Sequence, residues 1–478
     1  MRSGGIIAKV LLARNTGLIP KLLTRLVFTG WLRRAALRWL ANRLEGGPGK
    51  INSHRKLLYV AILSTVDRLV QRGTVSTDVA SKVAWLWTRA LLVPADQIPA
   101  IASFRSQNGF GPPWFITIAP GHDCNLKCKG CYAASTSGGN KLGWSTLERL
   151  VKEAKAMWGI RLVVFSGGEP LLYSSEGKGV MDIVEQNPDL LFLMFTNGTL
   201  FTEEIAARLS RLGNLTPAFS VEGLRGLTDE CRGQGVFDTV MNRIKLVRQA
   251  GVPFGVSVSV TRLNHEEVLF DDFLELFFNE LGTFYAFFFQ YLPIGRRPNL
   301  ELMPTPEERI LFWRRVWEVI EKKRLFLIDF WNHGPLANGC ISAGRAGGYL
   351  YIDWNGKIMP CVFAPYAAAN INQIYQNGGT LNDALTMPFF QAIRDWQIGY
   401  GYGGRKPSAE GNWLSPCPFR DHYSLFHSWV EHYQPEPEDD SARQSFLDNN
   451  YYKYMVDYGA KFRELSQKIW EEEYLAPH

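Results

Sequence analysis

From residue 114 onward, short apolar runs alternate with helical stretches, and this alternation restricts the chain more than any other feature. Residues 114–119, 162–165, 191–195, 218–221, 254–261 and 285–291 read as strands. Helical patterns lie between them near 144–158, 178–186, 202–212, 236–250 and 265–281. Most of the runs are apolar on both faces, as strands of a parallel sheet covered by helices must be. Six such repeats predict an α/β fold: a partial, open (β/α)6 TIM-like barrel whose chemistry sits at the carboxyl ends of its strands.

The loop after the first strand carries the chemistry. It reads Gly121-His122-Asp123-Cys124-Asn125-Leu126-Lys127-Cys128-Lys129-Gly130-Cys131-Tyr132. Three cysteines at Cys-x3-Cys-x2-Cys spacing can wrap one face of an iron–sulfur cubane, one thiolate per iron. The fourth iron is left open to chelate a substrate or cofactor. A structural zinc site is the competing reading, but zinc draws cysteines in two pairs or with histidines, and no second Cys-x2-Cys exists. A ferredoxin-type cluster needs a nearby fourth cysteine, which is also missing. Seven cysteines, three of them clustered, point to metal binding in a reducing compartment, the cytoplasm, rather than to a disulfide framework.

This loop resembles the signature of the radical S-adenosylmethionine (SAM) superfamily, and the resemblance continues downstream in order. Ser166-Gly167-Gly168-Glu169-Pro170 ends the second strand and looks like the family's segment for the methionine ammonium of SAM. Thr196-Asn197-Gly198 ends the third strand and Ser220-Val221-Glu222-Gly223 the fourth, where members set polar groups near the SAM ribose and carboxylate. Arg232-Gly233, ahead of Gly235-Val236-Phe237, resembles an Arg-Gly-x-Gly-x-Phe element. The resemblance implies a catalytic [4Fe-4S] cluster on Cys124, Cys128 and Cys131. It implies SAM contacts from Tyr132, Gly167, Gly168, Glu169, Asn197, Ser220, Glu222 and Arg232, the last pairing with the methionine carboxylate. Helix capping or surface ion pairing is the plain alternative for each of these polar residues. Many members carry an aromatic just before the third cysteine, near adenine. Here that position is Gly130 and Tyr132 follows the cysteine, so the adenine contact differs. The implied reaction is reductive cleavage of SAM to a 5′-deoxyadenosyl radical that abstracts a substrate hydrogen. A ferredoxin or flavodoxin would supply the electron, and no nucleic acid is expected as a partner.

A second cysteine set lies further along the chain. Cys340 precedes fifteen residues, Gly356, four residues and Cys361, and Cys417-Pro418-Phe419-Arg420-Asp421-His422 comes later. This resembles the opening of the auxiliary-cluster domain called SPASM, or its shortened twitch form. The cysteines are too few for a full SPASM domain. The resemblance implies one further [4Fe-4S] cluster on Cys340, Cys361 and Cys417, its fourth iron open or bound by Asp421 or His422. Buried structural cysteines are the alternative. Cys231 reads as free. The turn pair Asn355-Gly356 predicts a hairpin between 349–353 and 357–359.

The charge is uneven. Residues 1–60 hold twelve Lys/Arg and one acid, whereas the last 48 hold eleven acids and five bases. Residues 5–45 read as basic amphipathic helices that suit an anionic membrane face, or a helical bundle on the barrel. Helices are also expected over 55–72, 76–93, 305–323 and 452–473, a linker over 104–113 and a solvated connection from 435. The expected division is 1–105 helical, 114–325 barrel, 326–430 auxiliary-cluster domain and 431–478 acidic helical tail. The aromatic region 284–296 and the basic start lean toward a hydrophobic or lipid-like substrate. A peptide- or protein-modifying maturase and a non-SAM iron–sulfur electron carrier remain as alternatives.

Overall fold

The computed structural model describes residues 49–92, 98–402, 407–408 and 411–476. The expected amphipathic segment 5–45 therefore lies outside the described residues. Among the described residues three helices precede the first strand: α1 (Lys50–Gln71), α2 (Thr77–Leu92) and α3 (Pro99–Asn108). The barrel comes next as β1 (Phe115–Ile118), α4 (Trp144–Glu153), β2 (Leu162–Phe165), α5 (Val180–Gln186), β3 (Leu191–Thr196), α6 (Glu203–Leu212), β4 (Leu215–Ser220), α7 (Arg225–Arg232), α8 (Val236–Gln249), β5 (Gly255–Val260) and β6 (Tyr285–Gln290). Then come α9 (Pro306–Lys323), β7 (Leu327–Asp329), β8 (Tyr351–Ile352), β9 (Lys357–Met359), β10 (Tyr366–Ala367), β11 (Ala369–Asn370), β12 (Glu436–Pro437) and α10 (Asn449–Ile469).

β1 to β7 lie side by side in sequence order, each parallel to the next. The expected partial barrel is present, but its sheet does not stop near 325. β7 adds to β6, and β8 returns to pair parallel with the outer side of β1. The expected hairpin forms between β8 and β9, where Asp353 Oδ1 accepts from the N–H groups of Asn355 and Lys357, each at 2.8 Å. The hairpin thus belongs to the barrel sheet as well as to the C-terminal region, and it brings the second cysteine set to the barrel's edge.

Strand alternation sorts side chains between two cores. On β6, Phe287 and Phe289 face the barrel interior, while Phe288 packs outward on Phe312 of α9 with ring centroids 5.4 Å apart. Helix α9 starts where Thr305 and Glu308 cap each other (Thr305 Oγ1 from Glu308 N, 3.1 Å; Glu308 Oε2 from Thr305 N, 2.7 Å), with Pro306 opening the first turn. Helices α1 and α2 close the amino ends of the strands. Leu69, Val75 and Val79 share one buried cluster with Val164, Leu193, Ala218 and Tyr285 of the barrel. Ser76 N donates to Gly251 O at 2.9 Å and Arg68 Nη2 to Arg324 O at 3.1 Å, both at strand-entry turns.

Two expectations are corrected. Residues 104–108 finish helix α3, and the irregular stretch starts only at the cap. Gly109, at φ +76°, takes the left-handed cap and donates to Arg105 O, so the Ser/Asn/Gly cluster marks a helix end. The acidic tail is also no solvated connection at its start. β12 pairs with β10, Glu438 is buried, and Lys357 Nζ donates to the carbonyls of Pro437 (2.8 Å) and Glu438 (3.0 Å). A lysine that finds carbonyl acceptors can hold down an acidic strand that composition alone assigns to water.

Candidate active site

The cysteine loop sits over the carboxyl ends of the strands because several neighbours fasten it there. Asp123 Oδ1 accepts from Gly139 N at 2.7 Å, and Asp123 O accepts from Glu169 N at 2.7 Å. The two glycines of the Gly-Gly-Glu-Pro turn serve this contact. A Cβ on Gly167 would lie 2.6 Å from Ala119 Cβ, and one on Gly168 would lie 2.2 Å from Asp123 O. His122 stacks on Trp354 at 4.2 Å, and its Nε2 meets Ala133 O at 2.9 Å, so it braces the loop.

Cys124, Cys128 and Cys131 line one wall of a cavity of about 540 Å³ at the mouth of the barrel. Asn197 Nδ2 donates to Cys124 Sγ at 3.7 Å, and Arg232 Nη1 to Cys128 Sγ at 3.9 Å. Burial raises the thiols of Cys124 and Cys128 above their ordinary range, with Arg232 pulling Cys128 back down. Among the described residues no three His, Cys, Asp or Glu side chains converge on a single ion. Three thiols on one cavity could hold a cubane, in which each thiolate meets a different iron.

The other sequence candidates gather around this wall, in differing roles. Gly167, Gly168, Asn197, Ser220, Glu222 and Arg232 all line the cavity. Arg232 and Glu222 form a buried ion pair at 2.5 Å, and Glu222 Oε2 also accepts from Ser259 N at 2.9 Å. Arg232 Nε is buried without a protein partner, which suits a guanidinium that still has an anion to receive. Ser220 Oγ meets Ser257 Oγ at 3.1 Å. Tyr132 also lines the cavity, but its hydroxyl is held by Ser166 Oγ at 2.5 Å and accepts from Gly167 N at 2.9 Å, tying the loop to the glycine turn. Glu169 turns away: its carboxylate accepts from Thr196 Oγ1 at 2.8 Å, Asn197 N at 2.8 Å and Leu171 N at 3.2 Å.

Sequence reading gave Gly295 and Arg296, after β6, no role at the cysteine loop. Gly295, at φ +72°, lies so close to the loop that a Cβ would come 2.2 Å from Tyr132 O. Arg296 Nη1 donates to Cys128 O at 3.0 Å, and its other amino group binds the Ser135 carbonyl. A Gly-Arg pair at the end of a barrel strand was the available signal. Tyr291 covers Gly130, whose Cβ would lie 2.9 Å from the Tyr291 ring. The aromatic missing at position 130 is thus met by one from β6's end.

The second set also comes together. Cys340, Cys361 and Cys417 line a smaller cavity of about 60 Å³. Burial pushes Cys417 up to about 12 and Cys361 higher still. Each expected fourth ligand has a protein partner. Asp421 is locked to Arg309 at 2.5 Å and accepts from Cys417 N at 3.0 Å, while His422 Nε2 is engaged with Ser415 O at 3.0 Å. Cys231 is not in either set; its thiol donates to Lys129 O at 3.5 Å and burial raises it to about 12.

Residues 118–276 match the model of the radical SAM superfamily. The chain therefore carries a radical SAM domain. It is 29% identical over 289 residues to an AdoMet-dependent heme synthase of Methanosarcina barkeri, spanning 54% of this chain and 78% of that one. It is 28% identical over 260 residues to the sporulation killing factor maturation protein SkfB of Bacillus subtilis, spanning 52% and 60%. Among solved structures, native anSMEcpe with bound AdoMet and a Cp18Cys peptide superposes with a TM-score of 0.51 at 19% identity, over 75% of this chain and all (100%) of that one, a likeness of fold. The chain is therefore a radical SAM enzyme, with a [4Fe-4S] cluster and SAM as its cofactors. Among the described residues no helix is long and apolar enough to cross a membrane.

Proposed function

We propose that this radical SAM enzyme abstracts hydrogen from a largely apolar substrate held in the barrel interior. The observation that carries this reading is the two-toned cavity. Its rim beside the cysteines is polar, with Ser166, Asn197, Ser220 and Arg232, whereas its depth is Leu162, Val164, Leu193, Phe195, Phe287 and Phe289. A wall of aromatic and aliphatic carbon suits C–H groups and keeps out water, which a reactive radical requires.

When bound, the cluster and SAM supply a hydrogen-abstracting organic radical. The chain's own residues do the rest. Cys124, Cys128 and Cys131 hold the cluster, and Asn197 and Arg232 stabilise the thiolates through hydrogen bonds. Arg232, kept in place by Glu222, turns its unpartnered edge to the SAM carboxylate. The carbonyls of the Gly167-Gly168 turn receive the ammonium, since the Glu169 carboxylate faces the other way. Helices α1 and α2 seal the barrel's far end, so substrate enters beside the cysteine rim. A ferredoxin or flavodoxin supplies the electron. Cys340, Cys361 and Cys417 hold a second cluster.

The test is anaerobic reconstitution, reduction with dithionite and assay for 5′-deoxyadenosine. Wild type should form it, and Cys128→Ala should form at least a hundredfold less, on the order of what loss of one essential catalytic group costs. Equal formation by both would sink the reading. A second reading, a peptide- or protein-modifying maturase, is supported by the similarity to SkfB. Deuterium reaching 5′-deoxyadenosine from a perdeuterated lipid extract favours the apolar substrate; deuterium reaching it only from a peptide fraction favours the maturase.

A further inference from the structure

The two cysteine sites share a wall. Phe330, Tyr349 and Phe363 line both the catalytic cavity and the smaller cavity of Cys340, Cys361 and Cys417. Of the three, only Tyr349 carries a polar side-chain atom. Its ring stacks on Phe115 at the barrel side, centroids 4.8 Å apart and planes 7° from parallel. Its hydroxyl reaches the other side and meets Cys361 Sγ at 2.8 Å. The backbone is fixed at both groups, with Tyr349 N donating to Ile341 O at 2.8 Å and Tyr349 O accepting from Gly344 N at 2.9 Å. Each other thiol of the set has a different neighbour: Ser342 Oγ lies 3.1 Å from Cys340 Sγ, and Arg420 N donates to Cys417 Sγ at 3.4 Å.

An oxygen this close to one sulfur is hydrogen-bonded to that sulfur. It is not spaced as the ligand of a different iron. A phenol donating to a cluster thiolate draws charge from it and stabilises the reduced, more negative form. We propose that Tyr349 is a positioning residue for the second site, donating its O–H to the Cys361 thiolate from the wall shared with the substrate chamber and making that site easier to reduce. The proposal rests on the reading of Cys340, Cys361 and Cys417 as a cluster site. It adds what the cysteines alone do not supply: a polar contact of the second site that is built into the chamber wall, so both sites depend on the placement of one ring.

The test uses the full chain with Cys124, Cys128 and Cys131 all changed to Ala, so that only the second site can load. After anaerobic reconstitution, iron is counted and the reduced signal is titrated by electron paramagnetic resonance against potential. Tyr349→Phe keeps the ring and the stacking on Phe115. It should retain the iron and become about tenfold harder to reduce, about 59 mV lower for one electron. Tyr402 serves as the control: its hydroxyl donates to Pro416 O at 3.0 Å, and Tyr402→Phe should leave the midpoint in place. An unmoved midpoint in Tyr349→Phe, an equal shift in Tyr402→Phe, or loss of iron on removing the hydroxyl would each overturn the role of Tyr349 while leaving the cluster site standing. No iron in the parent variant would overturn the cluster site itself, and the role with it.

Discussion

Glu169 shows how far a motif can be read at the scale of one residue. Its place in Gly-Gly-Glu-Pro was legible, but the direction of its side chain was not. Thr196 and Asn197 compete for the carboxylate from the end of β3, and they win because the carboxylate is buried there with three donors around it. Burial pushes its pKa up to about 7, against the pull of those hydrogen bonds and of Arg232. A raised carboxyl pKa means the folded chain keeps a proton that the unfolded chain gives up. Its contribution to stability is therefore complete below the unfolded value of 4.5 and is lost as pH rises toward 7, by about 3 kcal/mol. Glu169→Gln removes this titration. In urea unfolding of the cluster-free protein, the loss of stability between pH 5 and pH 8 should be smaller in Glu169→Gln than in wild type. The same loss in both would show that Glu169 is not the titrating group.

At the scale of elements, periodicity told most of the story. The six expected strands and the helices between them are present because an apolar run flanked by turn residues has few other ways to bury itself. Strand β6 gives the sharpest case. Five of its six residues are apolar, so hydropathy cannot say which faces matter, but the two-residue period can. Phe288 belongs to the outer core and is fully buried, whereas Phe289 faces the cavity. Phe288→Ala should cost about 3–5 kcal/mol, as large cavities in a packed core do. Phe289→Ala should cost much less stability and should instead slow the appearance of substrate hydrogen in 5′-deoxyadenosine. Denaturation midpoints and product assays on the two variants separate the faces; equal stability losses would mean the register is wrong. What the strand pattern could not reveal is the closure of the barrel's base by α1 and α2. That contact is made between elements far apart in sequence, through apolar residues that any amphipathic helix carries.

For the whole molecule, the question is what ties the C-terminal cysteine region to the barrel. The cysteine spacing suggested a second site, yet nothing in it named the joint, because the joint is a buried ion pair between residues 112 apart in sequence. Arg309, on barrel helix α9, pairs with Asp421 at 2.5 Å with both side chains fully buried. It also donates to Asn332 Oδ1 at 2.9 Å and lies over the Phe462 ring of α10 at 3.4 Å. Asp421 in turn holds Cys417 N at 3.0 Å, and Arg420 beside it donates to Gln290 Oε1 at 3.0 Å, at the end of β6 and in the cavity lining. One network therefore runs from the substrate chamber to the second cysteine site. Two arginines beside Asp421 hold its carboxyl far below the ordinary range despite burial. Removing one partner of such a pair leaves a buried charge without its match, which costs about 3–5 kcal/mol, whereas replacing both with apolar groups is often nearly neutral. Arg309→Met leaves Asp421 with Arg420 alone, so it should lower stability by up to that amount and reduce the iron held by Cys340, Cys361 and Cys417. Arg309→Met with Asp421→Leu should not recover the stability, because Arg420, equally buried, then loses the carboxylate that its Nε meets at 3.2 Å. Nor should it recover the iron, because Cys417 N has lost the carboxylate that orients it. Unfolding curves and iron counts on the single and double variants measure the two effects separately. A single variant within about 1 kcal/mol of wild type, with full iron, would mean that the joint lies elsewhere.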